Sequence, residues 1–361
     1  MFFGMRLRDP WLARSLACLL LAGQARGIVL YDTDDPGANT EAPAGIYESA
    51  GWGWQGLFGS FLGTMIGPRH FITAGHIGAQ DGVFLSSALF NGVADAAYHV
   101  DATANGGTGY WDIAGTDLRV YQIQETFSSY APLYDGADET GLEMIVFGRG
   151  GPRGAEVTLG GDLKGWLHTA ADGTPRWGLN TVSGIADTGF GPLLMAEFDA
   201  VAGAHEAALS AGDSGGAVFV LDGGVWKLAG INFSVDGLFD TNAVTGDDSE
   251  FAAALFDRGG FYQGSDGGGW SLVPDMAEDA PAQMYASRIA PNVAEIQGIT
   301  LVPEPAGAFL LMLAGLAGRM ATYGSSSRRL TEMPVYDHAD PAPGFQALAD
   351  TLRSLMLSCA R

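Results

Sequence analysis

A serine stands between an aspartate and two glycines in the stretch L-S-A-G-D-S-G-G-A-V-F-V, which runs from Leu209 to Val220. Small residues around a hydroxyl are typical of a plain glycine-rich turn, and they are also typical of an exposed nucleophile. In the second interpretation Ser214 attacks a substrate carbonyl, and the backbone N–H groups of Gly212 and Ser214 bind the oxyanion that forms. A serine hydroxyl is a weak nucleophile by itself. The sequence must therefore also contain a general base and a group that orients the base.

The best candidate for the base is His76, in the segment F-I-T-A-G-H-I-G. The apolar residues before it predict a strand, which would hold the backbone in place. Ala74 and Gly75 are small enough to let another segment approach closely. This setting makes His76 the candidate for the general base that Ser214 needs.

Two segments resemble the chymotrypsin/trypsin family of serine proteases. The stretch F-L-G-T-M-I-G-P-R-H-F-I-T-A-G-H is similar to the histidine segment of that family, and G-D-S-G-G-A-V-F-V followed by L-A-G-I-N-F is similar to its nucleophile segment. They occur in the family order, histidine before serine. The resemblance extends over residues 28–296. It implies a secreted serine endopeptidase that cleaves protein or peptide substrates and needs no metal or organic cofactor.

The resemblance also implies an aspartate between the two motifs, at the head of a strand. Asp117 meets the family pattern, with Leu118, Val120 and Ile123 after it, whereas Asp112 meets only the first part. Asp117 lies 41 residues after the histidine and 97 residues before the serine, close to the spacing in the family. We therefore expect Asp117 to orient the imidazole and to stabilise its charged form.

The resemblance further implies a pocket for P1, the side chain on the acyl side of the cut. Trypsin-like members carry an aspartate six residues before the nucleophile, and this chain has Ala208 there. Phe233 and Val235 lie in the strand that should line the pocket. A Lys or Arg side chain would lose its hydration there without gaining a carboxylate partner. The sequence therefore predicts small or medium apolar side chains at P1.

The sequence departs from the family pattern in two places. No cysteine flanks His76 or Ser214, so the usual disulfides of the family are missing. The family's I-V-G-G start has only Ile28 and Val29 as a counterpart. Whether cleavage there creates an N-terminus that pairs with Asp213 is left open.

Two other functions fit parts of the pattern. G-D-S-G-G matches the G-x-S-x-G turn of α/β-hydrolases, but that fold needs a helix directly after the serine and a histidine downstream. The sequence instead has the strand-forming run A-V-F-V, and the only later histidine is His338, in the tail. A non-catalytic surface or adhesion module on a protease fold is the remaining alternative.

The composition indicates which elements position these residues. The chain has 361 residues, including 54 glycines, and a formal net charge of −23. Such an acidic chain lacks the basic surface that nucleic-acid binding requires. Short apolar segments alternate with turns from Trp52 onward, which indicates a barrel or sandwich. The only cysteines are Cys18 and Cys359, which makes a cysteine-based zinc site implausible.

These observations and the resemblance together predict an all-β fold. It consists of two six-stranded antiparallel β-barrels with a C-terminal helix, in a protease domain of residues 28–299. The barrels are expected at roughly 45–135 and 140–275. Helices are expected from Ser249 to Asp257 and from Pro281 to Ile296.

Both ends of the chain carry export features. Arg6, Arg8 and Arg14 precede a short apolar run, which is typical of a signal peptide, here residues 1–27. Residues 300–321 contain V-P-E-P, an apolar run and an arginine, and they resemble the PEP-CTERM sorting signal that an exosortase processes in Gram-negative bacteria. Residues 322–361 form a tail of unknown role. The sequence thus predicts a protein that is secreted or held at the cell envelope of such a bacterium.

Overall fold

The computed structural model describes residues 28–301, and most of the regular structure there is β-strand. The strands are β1 (Val29–Leu30), β2 (Gln55–Phe58), β3 (Phe61–Gly67), β4 (His70–Ala74), β5 (Val83–Ser86), β6 (Ala96–His99), β7 (Tyr110–Asp112), β8 (Leu118–Gln122), β9 (Glu143–Gly148), β10 (Arg153–Leu159), β11 (Asp162–His168), β12 (Arg176–Thr188), β13 (Gly191–Glu197), β14 (Ala207–Ala208), β15 (Ala217–Asp222), β16 (Val225–Val235), β17 (Leu238–Asp240), β18 (Ala253–Leu255), β19 (Tyr262–Ser265), β20 (Gly269–Leu272) and β21 (Gln283–Arg288). The helices are α1 (Ala88–Asn91) and α2 (Val293–Thr300), with 3-10 turns at Gly45–Tyr47, Trp52–Trp54, Gly75–Ile77, Asn105–Gly107 and Ala290–Asn292.

Several predicted segments lie outside the described residues. They are the signal peptide (1–27), the tail (322–361) and all but the first two residues of the sorting segment (300–321). Within 28–301, no helix has the length and hydrophobicity needed to span a membrane.

The first half of the described chain forms a seven-stranded antiparallel sheet, in the order β6-β5-β2-β3-β4-β8-β7. The sheet curls, and an isolated bridge between Val100 and Ile123 joins the chain just after β6 to the chain just after β8. Aromatic rings fill the interior; Phe71 stacks on Tyr121 with ring centroids 5.0 Å apart. This half is therefore an incompletely closed barrel, whose two ends are joined by one bridge.

The second half contains a closed barrel of six antiparallel strands, in the order β12-β13-β21-β16-β15-β9. Its interior is packed with aliphatic side chains, among them Val146, Val182, Leu194 and Val218. Two three-stranded sheets, β10-β11-β18 and β17-β19-β20, and the β1-β14 pair complete the strand pairings. The predicted all-β fold with a C-terminal helix is confirmed. The first barrel differs in detail, with seven strands and incomplete closure.

Two segments that were predicted to be helical contain strands, so the helix prediction is wrong there. β18 lies within the segment from Ser249 to Asp257 and pairs with β11. β21 occupies the first part of the segment from Pro281 to Ile296, and it pairs with β13 on one side and β16 on the other. Sheet pairing, on one edge of β18 and on both edges of β21, outweighs local helix propensity. The C-terminal helix therefore begins only at Val293.

The two halves share one apolar cluster. Trp52 packs against Phe147 of β9 with ring centroids 5.8 Å apart, and Trp54 stacks on Phe219 of β15 at 5.9 Å. Aromatic pairs of this kind contribute about 0.5–1.5 kcal/mol each beyond the area they bury. The cluster holds the halves in one arrangement, so side chains that meet between them keep defined distances.

Candidate active site

Strand pairing brings His76 and Asp117 together. β4 ends at Ala74, which pairs with Leu118 at the start of β8. Just beyond this pair, the backbone N–H of Gly75 donates a hydrogen bond to the carbonyl oxygen of Asp117 at 2.6 Å. A register shift of one residue would turn the Asp117 side chain to the other face of the sheet. The β4–β8 register therefore decides that this carboxylate faces the imidazole.

His76, Asp117 and Ser214 form one hydrogen-bonded chain. Nδ1 of His76 lies 2.5 Å from Oδ2 of Asp117, and Nε2 lies 2.8 Å from Oγ of Ser214. Oδ1 of Asp117 accepts a hydrogen bond from the backbone N–H of His76 at 2.8 Å. Because an ionised carboxylate only accepts, we assign the ring proton to Nδ1, which leaves Nε2 to accept the proton of Ser214. The His76 side chain is 29% exposed, so a substrate can reach it.

Asp112, the other aspartate weighed for this role, lies away from the imidazole. Its side chain is 57% exposed and accepts a hydrogen bond from Nε of Arg119 at 2.6 Å. It belongs to β7, which pairs with β8 on the edge away from β4. Of the two aspartates, only Asp117 contacts His76.

Glycines shape the turn that carries Ser214. Gly212 has φ of +102° and Gly215 has φ of +79°, backbone angles that residues with a Cβ rarely adopt. A Cβ on Gly215 would also lie 2.2 Å from Oγ1 of Thr73 and 2.5 Å from the carbonyl oxygen of Leu62. The glycine therefore lets the serine turn approach the first half of the molecule, where His76 lies.

Asp213, beside the serine, is fully buried. Its carboxylate accepts hydrogen bonds from the backbone N–H groups of Ser210 at 2.9 Å and Gly150 at 3.1 Å. Burial raises the pKa of the Asp213 carboxyl to about 8, against the lowering effect of these hydrogen bonds. Gly148 makes the space, because a Cβ there would lie 2.0 Å from Asp213 Oδ1 and 2.9 Å from the side chain of Ile28.

A small cavity opens beside Ser214. Its lining includes two of the predicted pocket residues, Phe233 and Val235, together with Asn232 and Ser234. Its volume is about 10 Å³, roughly the space that one water molecule needs. The third predicted residue, Ala208, lines a neighbouring cavity instead. Strand pairing explains this position, because Ala208 belongs to β14 and pairs with Val29 of β1.

That neighbouring cavity contains a buried carboxylate that the sequence interpretation missed. Asp236 is 6% exposed and forms an ion pair with Arg258 at 2.9 Å. It also accepts hydrogen bonds from the backbone N–H of Gln283 and the hydroxyl of Tyr285. Burial raises the pKa of Asp236 above its ordinary value, while Arg258 acts in the opposite direction. The charge of Asp236 is therefore already compensated within the protein.

An aromatic neighbour of the site was also missed. Phe190, at the tip of the β12–β13 hairpin, packs on Phe233 with ring centroids 5.3 Å apart, and Phe233 lies edge-on to His76 at 5.9 Å. A Cβ on the next residue, Gly191, would lie 3.0 Å from the carbonyl oxygen of Gly115 in the first half. Phe190 is 45% exposed. A large aromatic residue in the turn between two strands was the signal in the sequence. Its contact with Phe233 could not be predicted, because it depends on the length of the hairpin and on tertiary packing.

Within residues 28–301, no group of three or more His, Cys, Asp or Glu side chains is placed to hold a metal ion.

The chain is similar to known proteins in two respects. Residues 286–360 match a family model described as bacterial type VI secretion, with the names EvfL, ImpJ and VasE. The structure is similar to neuropsin, a serine protease expressed in the limbic system of mouse brain, at 14% identity and a TM-score of 0.36, covering 70% of this chain and 96% of that chain. No curated protein sequence matches. The matched family segment lies mostly beyond the described residues, and neither similarity assigns a function to the site.

Proposed function

We propose that this protein is a serine endopeptidase that cleaves protein or peptide substrates through an acyl-enzyme. One observation supports the proposal above all others: the hydrogen-bonded chain of Asp117, His76 and Ser214, assembled from both halves of the molecule. A base within hydrogen-bond reach of a nucleophile, itself oriented by a third group, is the arrangement that nucleophilic catalysis needs.

In the proposed first step, Nε2 of His76 takes the proton of the Ser214 hydroxyl as Oγ bonds to the substrate carbonyl carbon. Asp117 stabilises the imidazolium that forms and keeps its Nδ1–H directed at the carboxylate. The backbone N–H groups of Gly212 and Ser214 are proposed to bind the oxyanion. The C–N bond then breaks, and the leaving amine takes the proton from Nε2.

In the second step a water molecule gives its proton to Nε2 and attacks the acyl carbon. The bond between this carbon and Ser214 Oγ breaks, the proton returns to Oγ, and the carboxylic acid product leaves. These steps use only groups of this chain, so the proposal needs no metal or organic cofactor.

We also propose that the enzyme acts outside the cytoplasm, either secreted or at the cell envelope. Three arginines before an apolar run support export, and the V-P-E-P segment supports processing by an exosortase-type enzyme.

Labelling with a fluorophosphonate tests the proposed activity directly, because the reagent bonds covalently to an activated serine. We expect the label on Ser214, and no label on a Ser214→Ala or His76→Ala variant. His99→Ala is the matched control: Nδ1 of His99 lies 2.8 Å from a carboxylate oxygen of Glu125, in an exposed pair that does not include Ser214. This control should label like the wild type.

Full labelling of the Ser214→Ala variant would refute the assignment of the nucleophile. A folded wild-type protein that neither labels nor cleaves peptides would favour the alternative, a non-catalytic surface or adhesion module.

A further inference from the structure

Two residues that line the cavity beside Ser214 each have a buried side-chain oxygen without a hydrogen-bond partner among the described residues. They are Oδ1 of Asn232 and Oγ of Ser234. The two residues are 1% and 7% exposed, and both line the cavity. Buried polar atoms in native proteins are almost always paired. Two unpaired oxygens on residues that line the same cavity therefore indicate a ligand that completes their hydrogen bonds.

The neighbours of Asn232 determine which of its atoms is unpaired. Nδ2 donates hydrogen bonds to the carbonyl oxygens of Phe147 at 2.7 Å and Asp213 at 3.0 Å. Both partners are acceptors, so the amide nitrogen must face them and Oδ1 must face away. Gly216 leaves the room for this arrangement, because a Cβ there would lie 2.8 Å from Nδ2. Asn232 therefore presents a fixed acceptor.

The hydroxyl of Ser234 can donate or accept a hydrogen bond, whereas Oδ1 of Asn232 can only accept. A ligand hydroxyl satisfies both, because it donates to Asn232 and accepts from Ser234. The cavity volume of about 10 Å³ also corresponds to a group about the size of one water molecule. A hydroxyl is such a group.

A charged side chain fits the cavity less well. The carboxylate of Asp213 is occupied by the backbone N–H groups of Ser210 and Gly150. The carboxylate of Asp236 is paired with Arg258. A Lys or Arg side chain would therefore be desolvated without a free carboxylate to receive it.

The geometry points to a pocket that selects a small hydroxyl side chain, threonine or serine, at P1. This inference rests on the proposed function, and it replaces the apolar preference predicted from the sequence. The unpaired oxygens explain the difference: an apolar P1 side chain would cover them and leave them without partners, whereas a hydroxyl pairs with both.

Two peptides that differ only in threonine or valine at P1 test the inference, because these side chains have almost the same shape. We expect the wild type to cleave the threonine peptide with a kcat/KM about tenfold higher. Ser234→Ala should reduce this ratio to about threefold or less, since one of the two hydrogen bonds is lost. Fluorophosphonate labelling of the wild type reports the reactivity of Ser214 separately, because this reagent has no P1 side chain.

Ser287→Ala is the matched control. Its hydroxyl is also buried and has no hydrogen-bond partner among the described residues, and Ser287 pairs with Ile231 across the β16–β21 ladder. It does not line the cavity. This variant should keep the wild-type ratio of threonine to valine cleavage.

The outcomes separate the two proposals. A wild type that labels at Ser214 but cleaves the valine peptide as well as the threonine peptide overturns the inference alone. A ratio that Ser234→Ala leaves unchanged also overturns it. A wild type that neither labels nor cleaves overturns the proposed function and this inference together.

Discussion

Replacing Asp117 with asparagine should slow the proposed reaction strongly, because it changes which ring nitrogen of His76 carries the proton. Asp117 accepts two hydrogen bonds from His76, one from the backbone N–H at 2.8 Å and one from Nδ1 at 2.5 Å. An asparagine has one oxygen to accept and one NH₂ group that only donates. If its oxygen keeps the backbone N–H, its NH₂ faces Nδ1 and donates to it.

The ring proton then moves to Nε2, which faces the hydroxyl of Ser214 at 2.8 Å. A protonated Nε2 cannot take the proton of the serine, so general-base catalysis is lost. The opposite amide orientation would bring the NH₂ group against the backbone N–H, two donors in contact. For a wrong tautomer of this kind, kcat falls by about 10⁴-fold, which corresponds to about 5.5 kcal/mol in activation free energy.

The assay is kcat on a peptide substrate at neutral pH, with circular dichroism to show that each variant is folded. Asp112→Asn is the control. This substitution removes the same charge, but Asp112 contacts Arg119 rather than His76. We expect it to change kcat less than threefold, as for an exposed ion pair. Equal losses in the two variants, or a folded Asp117→Asn enzyme with a tenth of wild-type turnover, would contradict the reasoning.

Three further predictions concern stability, substrate binding and processing. Burial raises the pKa of Glu206 to about 8. The folded protein therefore holds a proton that the unfolded chain releases above about pH 4.5, and stability falls as the pH rises through this window. Glu206→Gln should reduce the decline of the melting temperature between pH 5 and pH 8. The control Glu156→Gln, at an exposed position, should leave this decline unchanged. Phe190→Ala should raise KM about tenfold for peptides that extend along the acyl side, because an aromatic contact with the substrate is lost. KM for a single-residue ester should stay unchanged. Equal effects on both substrates would argue against a role of Phe190 in binding. Intact-mass measurement of envelope and secreted fractions should find a mature chain that begins near Arg26 and ends near the V-P-E-P segment, and a chain still carrying residues 345–361 would contradict processing there.

Part of the site could be predicted because its signals are local. The glycines beside Ser214, the strand and small turn before His76 and the aliphatic pattern after Asp117 each lie within a few residues of the group they position. The alternation of short apolar segments with turns likewise indicated an all-β chain. Local backbone preferences and residue spacing were sufficient for these features.

The helix predictions failed where long-range pairing competes with local preference. β21 lies between β13 and β16, partners that are about 90 and 50 residues away in sequence. Such pairing is not visible in a window of ten residues, because the hydrogen bonds that decide it come from distant strands. The same holds for β18 on β11.

The sequence by itself determined the chemical identity of the candidate groups: a serine in a glycine turn, a histidine after a strand and an aspartate at the head of another. Only the tertiary structure decided how they meet and what surrounds them. The β4–β8 register places the carboxylate of Asp117 beside His76. The close packing of Gly215 on Thr73 places Ser214 beside the imidazole. Which oxygens stay unpaired beside the serine depends on contacts between strands far apart in the chain. Residue types are local properties, whereas side-chain direction and hydrogen-bond completion are properties of the packed molecule.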